Sequence, residues 1–203
     1  MKETIAILSI VTITLIGCGG DKKQTEQAST AVESKKVIDV VIIQQQSEPD
    51  TLKGSLTAEA TGKIGNTEIK IAYHSPSVRG RIIWGGLVPF DKVWVTGAHM
   101  ATSIEFNHNV EIGGKTIAAG KYAFFTIPGK DGWTAIINTN WQQHLTDKYD
   151  EAQDVVRLKV KPEQEEKNQE RLRYVIEAEG NNSGEIVMYW ERVEISIPFK
   201  IKG

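Results

Sequence analysis

Residues 65–73 read Gly65-Asn66-Thr67-Glu68-Ile69-Lys70-Ile71-Ala72-Tyr73, a turn pair followed by alternating polar and apolar side chains. A period of two sends one set of side chains to a core and the other to water, so this stretch is a half-buried strand. The same grammar recurs downstream. Val110-Glu111-Ile112 and Lys115-Thr116-Ile117 flank Gly113-Gly114, a hairpin signal. Residues 122–127 and 133–137 flank Pro128-Gly129-Lys130-Asp131-Gly132. Residues 156–161 and 172–178 alternate, Asn181-Asn182-Ser183-Gly184 turns into 185–191, and 193–199 closes the series. Nine or ten short strands at this spacing predict an all-β fold, an antiparallel sandwich or flattened barrel with minor helix. The helical candidates are Trp141 to Lys148, with room for one or two turns, and Glu163 to Arg171, which follows Pro162 but lacks an apolar stripe. The second reads better as a solvated loop or exposed turn. No internal repeat and no second core interrupt residues 55–203, which read as a single domain.

The chain has 203 residues, 40% hydrophobic and 25% charged, enough apolar material for a packed core and too much for wholesale disorder. A formal net charge of −2 gives no basic excess to suggest nucleic acid or an anionic surface as partner. One cysteine excludes a disulfide framework, and four scattered histidines supply no metal-binding spacing. No metal and no cofactor is expected from these residues.

The N-terminus reads as an address. Ile5 to Ile16 is an apolar run broken only by Ser9, Thr12 and Thr14, too short to span a membrane, which takes about 20 residues. It ends in Leu15-Ile16-Gly17-Cys18, the pattern of a bacterial lipobox. Residues 1–17 are expected to be a lipoprotein signal peptide, with Cys18 the lipidated residue. Removing them deletes Lys2 and Glu3, one charge of each sign, so the mature chain keeps −2 and its membrane partner would be reached through lipid alone. Residues 18–54 read as a lipid-anchored tether, polar from Gly19 to Ser34 apart from Val32, with a short apolar run at Val37 to Ile43. The expected location is the bacterial cell envelope, at the outer membrane facing the periplasm.

Asn109 to Thr116, N-V-E-I-G-G-K-T, falls one glycine short of a phosphate loop, and a strand follows where a helix should. There is no G-x-S-x-G elbow. The densest unusual stretch is Ser75 to His99, which gathers two arginines, two tryptophans, two prolines and four glycines. Long ordered loops on a β scaffold are where sites tend to sit. Arg79 and Arg81 are candidates to fix an anion or hydroxyl, Trp84 to stack on a flat ligand, and Asp91 and His99 to complete a binding surface. Trp94, inside Lys92-Val93-Trp94-Val95, is expected in the core, and Trp84, beside Gly85-Gly86, at least partly exposed.

These residues resemble a bacterial family known as domain of unknown function 2911. The resemblance rests on Ser75 to Arg81, Trp84 to Phe90, Lys92-Val93-Trp94, Ala119 to Gly129 and Asp154 to Val160, and spans about Leu56 to Phe199. It implies a secreted or lipid-anchored β domain and brings no activity with it. The family pattern after Lys-Val-Trp is Arg-Thr-Gly-Ala-Asn, so Val95 stands here for an arginine and His99 for an asparagine. The leading expectation is a non-enzymatic envelope lipoprotein that binds a small molecule, glycan or partner protein. The alternatives are an envelope hydrolase or isomerase using carboxylates and His99, and an adaptor whose Val37 to Ile43 run adds to another sheet.

Overall fold

A computed structural model describes residues 53–202. The stretch read as a signal peptide, Cys18, all but residues 53–54 of the expected tether and the Val37 to Ile43 run lie outside the described residues. Ten strands follow in order: β1 (Leu56–Ile64), β2 (Thr67–Ser75), β3 (Thr102–Phe106), β4 (Val110–Ile112), β5 (Lys115–Ile117), β6 (Gly120–Ile127), β7 (Trp133–Asn138), β8 (Asp154–Val160), β9 (Glu163–Ala178) and β10 (Ser183–Ile201). One sheet runs β1-β2-β3-β6-β7-β8 and the other β5-β4-β10-β9, and every pairing between them is antiparallel. The fold is an open β-sandwich of two sheets, not a closed barrel.

The turns do what their residues dictate. Gly65-Asn66 joins β1 to β2 with Gly65 at φ +56. Gly113 and Gly114 take φ +58 and +78, the paired positive values of the turn that matches strand twist, and join β4 to β5. In β2 the even side chains face out while Ile69, Ile71 and Tyr73 enter the core, where they meet Ile186, Met188, Ile195 and Ile197 of β10 in one cluster. At about 25 cal/mol per Å² of apolar surface buried, this interior is the main stabilising term.

Strand β7 is buried at all six positions because the six-stranded sheet is covered on both faces. Phe124 and Ile137 face the sandwich, while Ala123, Phe125 and Ile136 form a second cluster roofed by Trp141 and Tyr149. That roof is the segment where one or two helical turns were expected. It is a run of turns, for two reasons. Side-chain amides take the backbone groups that a helix would use: Asn140 N–H donates to Asn138 Oδ1 (2.8 Å), Gln143 Nε2 to Asn140 O (2.7 Å), and Lys148 N–H to Gln143 Oε1 (3.1 Å). Leu145 also sits at φ +47, outside the helical region. The only helical element among the described residues is one 3₁₀ turn at Glu151–Gln153.

Glu163 to Arg171 is no loop either. It is the first half of the 16-residue strand β9, and β10 continues without a break through 191–193. Its side chains are mostly exposed, so no apolar alternation marks it. Backbone pairing to β10 makes the strand, with irregular register at Tyr189/Glu191 and Glu191/Val193.

Between β2 and β3 the chain leaves regular structure for Pro76 to Ala101 and ties the sheets together. Val78 N–H donates to Glu170 O (2.8 Å) and Leu172 N–H to Pro76 O (3.0 Å), which seats the start of the segment on β9. At the far end Trp94 and Thr126 exchange backbone bonds of 2.8 and 3.0 Å, so residues near 94 take the place beside β6 that β3 fills further along. Thr96 is buried at φ +52, costly for a β-branched residue. Its carbonyl accepts from Tyr174 Oη (2.6 Å) and Thr102 Oγ1 (3.1 Å), and its hydroxyl meets Thr126 Oγ1 (3.0 Å). Burial pushes the Tyr174 phenol well above its ordinary pKa, so it remains a donor. Tyr174→Phe is expected to cost about 0.5–1.5 kcal/mol, the net worth of one neutral hydrogen bond, and to lower Tm by roughly 2–5 °C. A melt unchanged within a degree would show that the Thr96 carbonyl does not need this donor.

Candidate functional site

The irregular segment forms one wall of a cavity of about 420 Å³, a volume in the range of small-ligand sites. Arg81, Leu87, Trp94 and His99 line it from the segment, Trp190 from β10, and Leu145 from the roof loop. Two of the candidate residues, Arg81 and His99, therefore meet in one concavity. The other three stand apart from it in different ways.

Arg79 is exposed at the seam with β9, where its N–H donates to Glu170 Oε1 (2.8 Å). Asp91 is exposed at the turn beside β6–β7, with its N–H on Pro128 O (2.8 Å). Trp84 lies behind the cavity wall, half-buried, with edge-on contacts to three other indoles: Trp133 (4.7 Å), Trp94 (5.7 Å) and Trp190 (5.7 Å). Trp94 stacks on Trp190 at 5.6 Å and is also half-buried, so Trp84 is partly exposed as expected while Trp94 is not the core residue expected of it. Trp84 is the hub of an aromatic cluster rather than a free platform. Its Nε1 and that of Trp190 are buried without a conventional partner, and the edge-to-face geometry offers ring faces instead.

Local bonding explains why the segment holds this shape. Val88 and Leu87 N–H donate to Ile83 O (2.9 Å) and Ile82 O (3.0 Å), curling residues 82–88 on themselves. Gly86 is required there, because a Cβ would stand 2.4 Å from Ile82 O. Arg81 gives Nε to Val78 O (3.1 Å) and Nη2 to Ser77 O. Carbonyls orient the guanidinium without neutralising it, so its positive charge faces a cavity with no carboxylate in its lining. His99 stands at φ +59 and its carbonyl accepts from Leu145 N–H (2.6 Å), which closes the roof loop onto the segment.

Backbone conformation and surface chemistry both single out this region. Of the six non-glycine residues described with φ in the left-handed region, Arg79, Asp91, Thr96 and His99 lie in the segment and Leu145 lies across the cavity. Such conformations cost of order 1–3 kcal/mol each and cluster where a scaffold over-determines a site. The large apolar side chains exposed among the described residues are Ile82 (79%), Leu87 (47%), Met100 (45%) and Leu145 (41%). Leu87 and Leu145 line the cavity; Ile82 is bonded to Leu87, and Met100 follows His99.

The family described as protein of unknown function (DUF2911) matches residues 55–199. The chain belongs to this family. Neither curated proteins nor solved structures give a match. Within the DUF2911 domain the match takes in both sheets and the whole cavity wall, so the site is built from the family's own region.

Sequence reading missed Leu145 and Trp190, which reach the cavity from distant elements, and Met100, which follows His99 outside the cavity lining. The one signal was Leu145, an apolar residue in the otherwise polar turn His144-Leu145-Thr146-Asp147-Lys148. It also left the histidines scattered, whereas the fold packs the His74 ring edge-on against His99 at 5.2 Å. Burial and then the neighbouring His99 hold the His74 imidazole below its ordinary pKa. Trp84→Ala and Trp94→Ala are expected to destabilise about equally, by roughly 2–4 kcal/mol or 5–15 °C, below the cost for a fully buried indole. Thermal melts in which Trp84→Ala stays within about 0.5 kcal/mol of the parent would return Trp84 to the role of an exposed platform.

Proposed function

We propose that this is a lipid-anchored envelope protein whose β-sandwich binds a small molecule with a flat or apolar body and an anionic group. The observation that carries the reading is the coincidence of features at one cavity: exposed leucines at its mouth, indole walls, and an oriented guanidinium with no carboxylate opposite. Soluble proteins rarely gather exposed apolar side chains without a use for them. Apolar walls supply affinity, and a single charged group fixes orientation.

The alternative of hydrolysis or isomerisation through His99 needs a carboxylate within hydrogen-bond reach of that ring. The ring contact recorded for His99 is another imidazole, His74. Binding is the better-supported reading. The lipid on Cys18, the tether of residues 18–54 and the outer-membrane site facing the periplasm belong to the same proposal, supported by the lipobox pattern.

Anilinonaphthalene sulfonate has the proposed ligand chemistry and serves as probe. The parent protein is expected to bind it saturably at one site, with a rise in fluorescence. Arg81→Ala should weaken binding about tenfold or more, the scale of a lost charge-assisted contact. Leu145→Asp should abolish it, and Arg79→Ala, outside the cavity, should leave it unchanged. Equal binding by the Arg81→Ala and Arg79→Ala proteins would overturn the site. Labelled fatty acid incorporated equally by the parent and Cys18→Ser would overturn the anchor.

A further inference from the structure

We propose that His74, His99 and Met100 form a binding site for a single monovalent copper ion. This goes beyond the ligand cavity: His99 lines that cavity, but His74 and Met100 line a separate concavity of about 330 Å³. His74, Met100 and Trp141 line that second concavity.

The first support is the histidine pair. The two rings lie 5.2 Å apart at 81°. Imidazoles that share an ion through nitrogens at about 2.0–2.1 Å have ring centres on the order of 5–6 Å apart, a spacing this pair already has, and a rotation of the edge-on ring would bring a nitrogen of each onto one ion. The other two histidines each engage a neighbour, His108 Nδ1 with Asn107 Oδ1 (2.9 Å) and His144 Nδ1 with Asp147 Oδ2 (3.1 Å). The rings of His74 and His99 instead meet each other edge to face.

The second support is the thioether. Met100 is 45% exposed, an apolar side chain held at the surface beside the pair. Its backbone is fixed by an antiparallel bridge to His144, and that of His99 by the bond from Leu145 N–H. The roof loop therefore holds the backbone of His99 and Met100 in place, with His99 at φ +59.

The donor set selects the ion. Among the described residues no three His, Cys, Asp or Glu side chains converge as metal ligands, so the usual four-coordinate zinc set is not assembled. Two borderline imidazoles and one soft thioether make a small donor set, which suits monovalent copper and disfavours magnesium, calcium or manganese. No electron transfer is part of the proposal: the ion binds as it is supplied and none of the three donors changes oxidation state.

The test is an oxygen-free titration of monovalent copper held by bicinchoninate, using the full chain carrying Cys18→Ser so that no thiol competes. The expected result is withdrawal of one copper per protein. His74→Ala and His99→Ala should each weaken this at least tenfold, and Met100→Leu should weaken it while leaving the melt unchanged. His108→Ala should have no effect. No withdrawal by the parent, or full withdrawal by both histidine variants, overturns the site. Loss in the histidine variants with full retention in Met100→Leu overturns the thioether ligand and with it the assignment to monovalent copper. Dye binding tested through Arg81 and Leu145 is read separately, so either site can fail alone.

Discussion

The carbonyl of Thr96, held from two sides by Tyr174 Oη and Thr102 Oγ1, is the contact on which the remaining architecture turns. Tyr174 belongs to β9 in one sheet and Thr102 to β3 in the other. A single buried oxygen therefore fixes the connecting segment to both layers of the sandwich. Leaving such a carbonyl unpaired costs about 1–3 kcal/mol, comparable to the strain of Thr96 at φ +52. The two bonds make the strained conformation the one that wins. The other end of the segment is anchored by Arg171, fully buried, whose Nη1 donates to Ser75 O and Gly54 O at 3.1 Å each. Burying a guanidinium demands acceptors, and Nη1 finds two in the carbonyls that lead the chain into β1 and out of β2.

With both ends fixed, the segment becomes a wall. Its tryptophans fill the gap against Trp133 and Trp190, its left-handed residues turn Arg79, Asp91 and His99 outward, and the roof loop meets it at His99 and Leu145. The cavity lies where wall, roof and β10 meet. Function in this account follows from rigidity: the apolar mouth and the oriented Arg81 are present before any ligand arrives, so binding incurs little ordering cost.

Much of the sandwich was legible because alternation and glycine turns are local signals. Ile69-Lys70-Ile71 and Gly113-Gly114 each report their conformation within a few residues. The polar half of β9 was not legible, because Glu163 to Gln169 is held by backbone pairing to β10 and has no buried face to imprint a pattern. The turns at 141–148 were missed because Asn138, Asn140 and Gln143 act on neighbouring backbone, a competition that composition does not reveal. At the site, the unusual density of glycine, proline, arginine and tryptophan pointed to the right segment. Which of its residues converge was decided by partners more than 40 positions away: Leu145 beside His99, and Trp190 beside Trp94.

The central claim is that residues 76–101, irregular as they are, form a rigid wall pinned to both sheets. Native-state hydrogen exchange on single amides tests it most directly. Val78, Asp91 and Trp94 donate their N–H groups to Glu170, Pro128 and Thr126, and Val88 donates to Ile83 within the segment. The account predicts that these four amides open only with free energies close to those of β6 and β7, as part of the cooperative core. Exchange at nearly the unprotected rate, while β6 and β7 stay protected, would mean that the segment is a loose loop and that the cavity is not preformed.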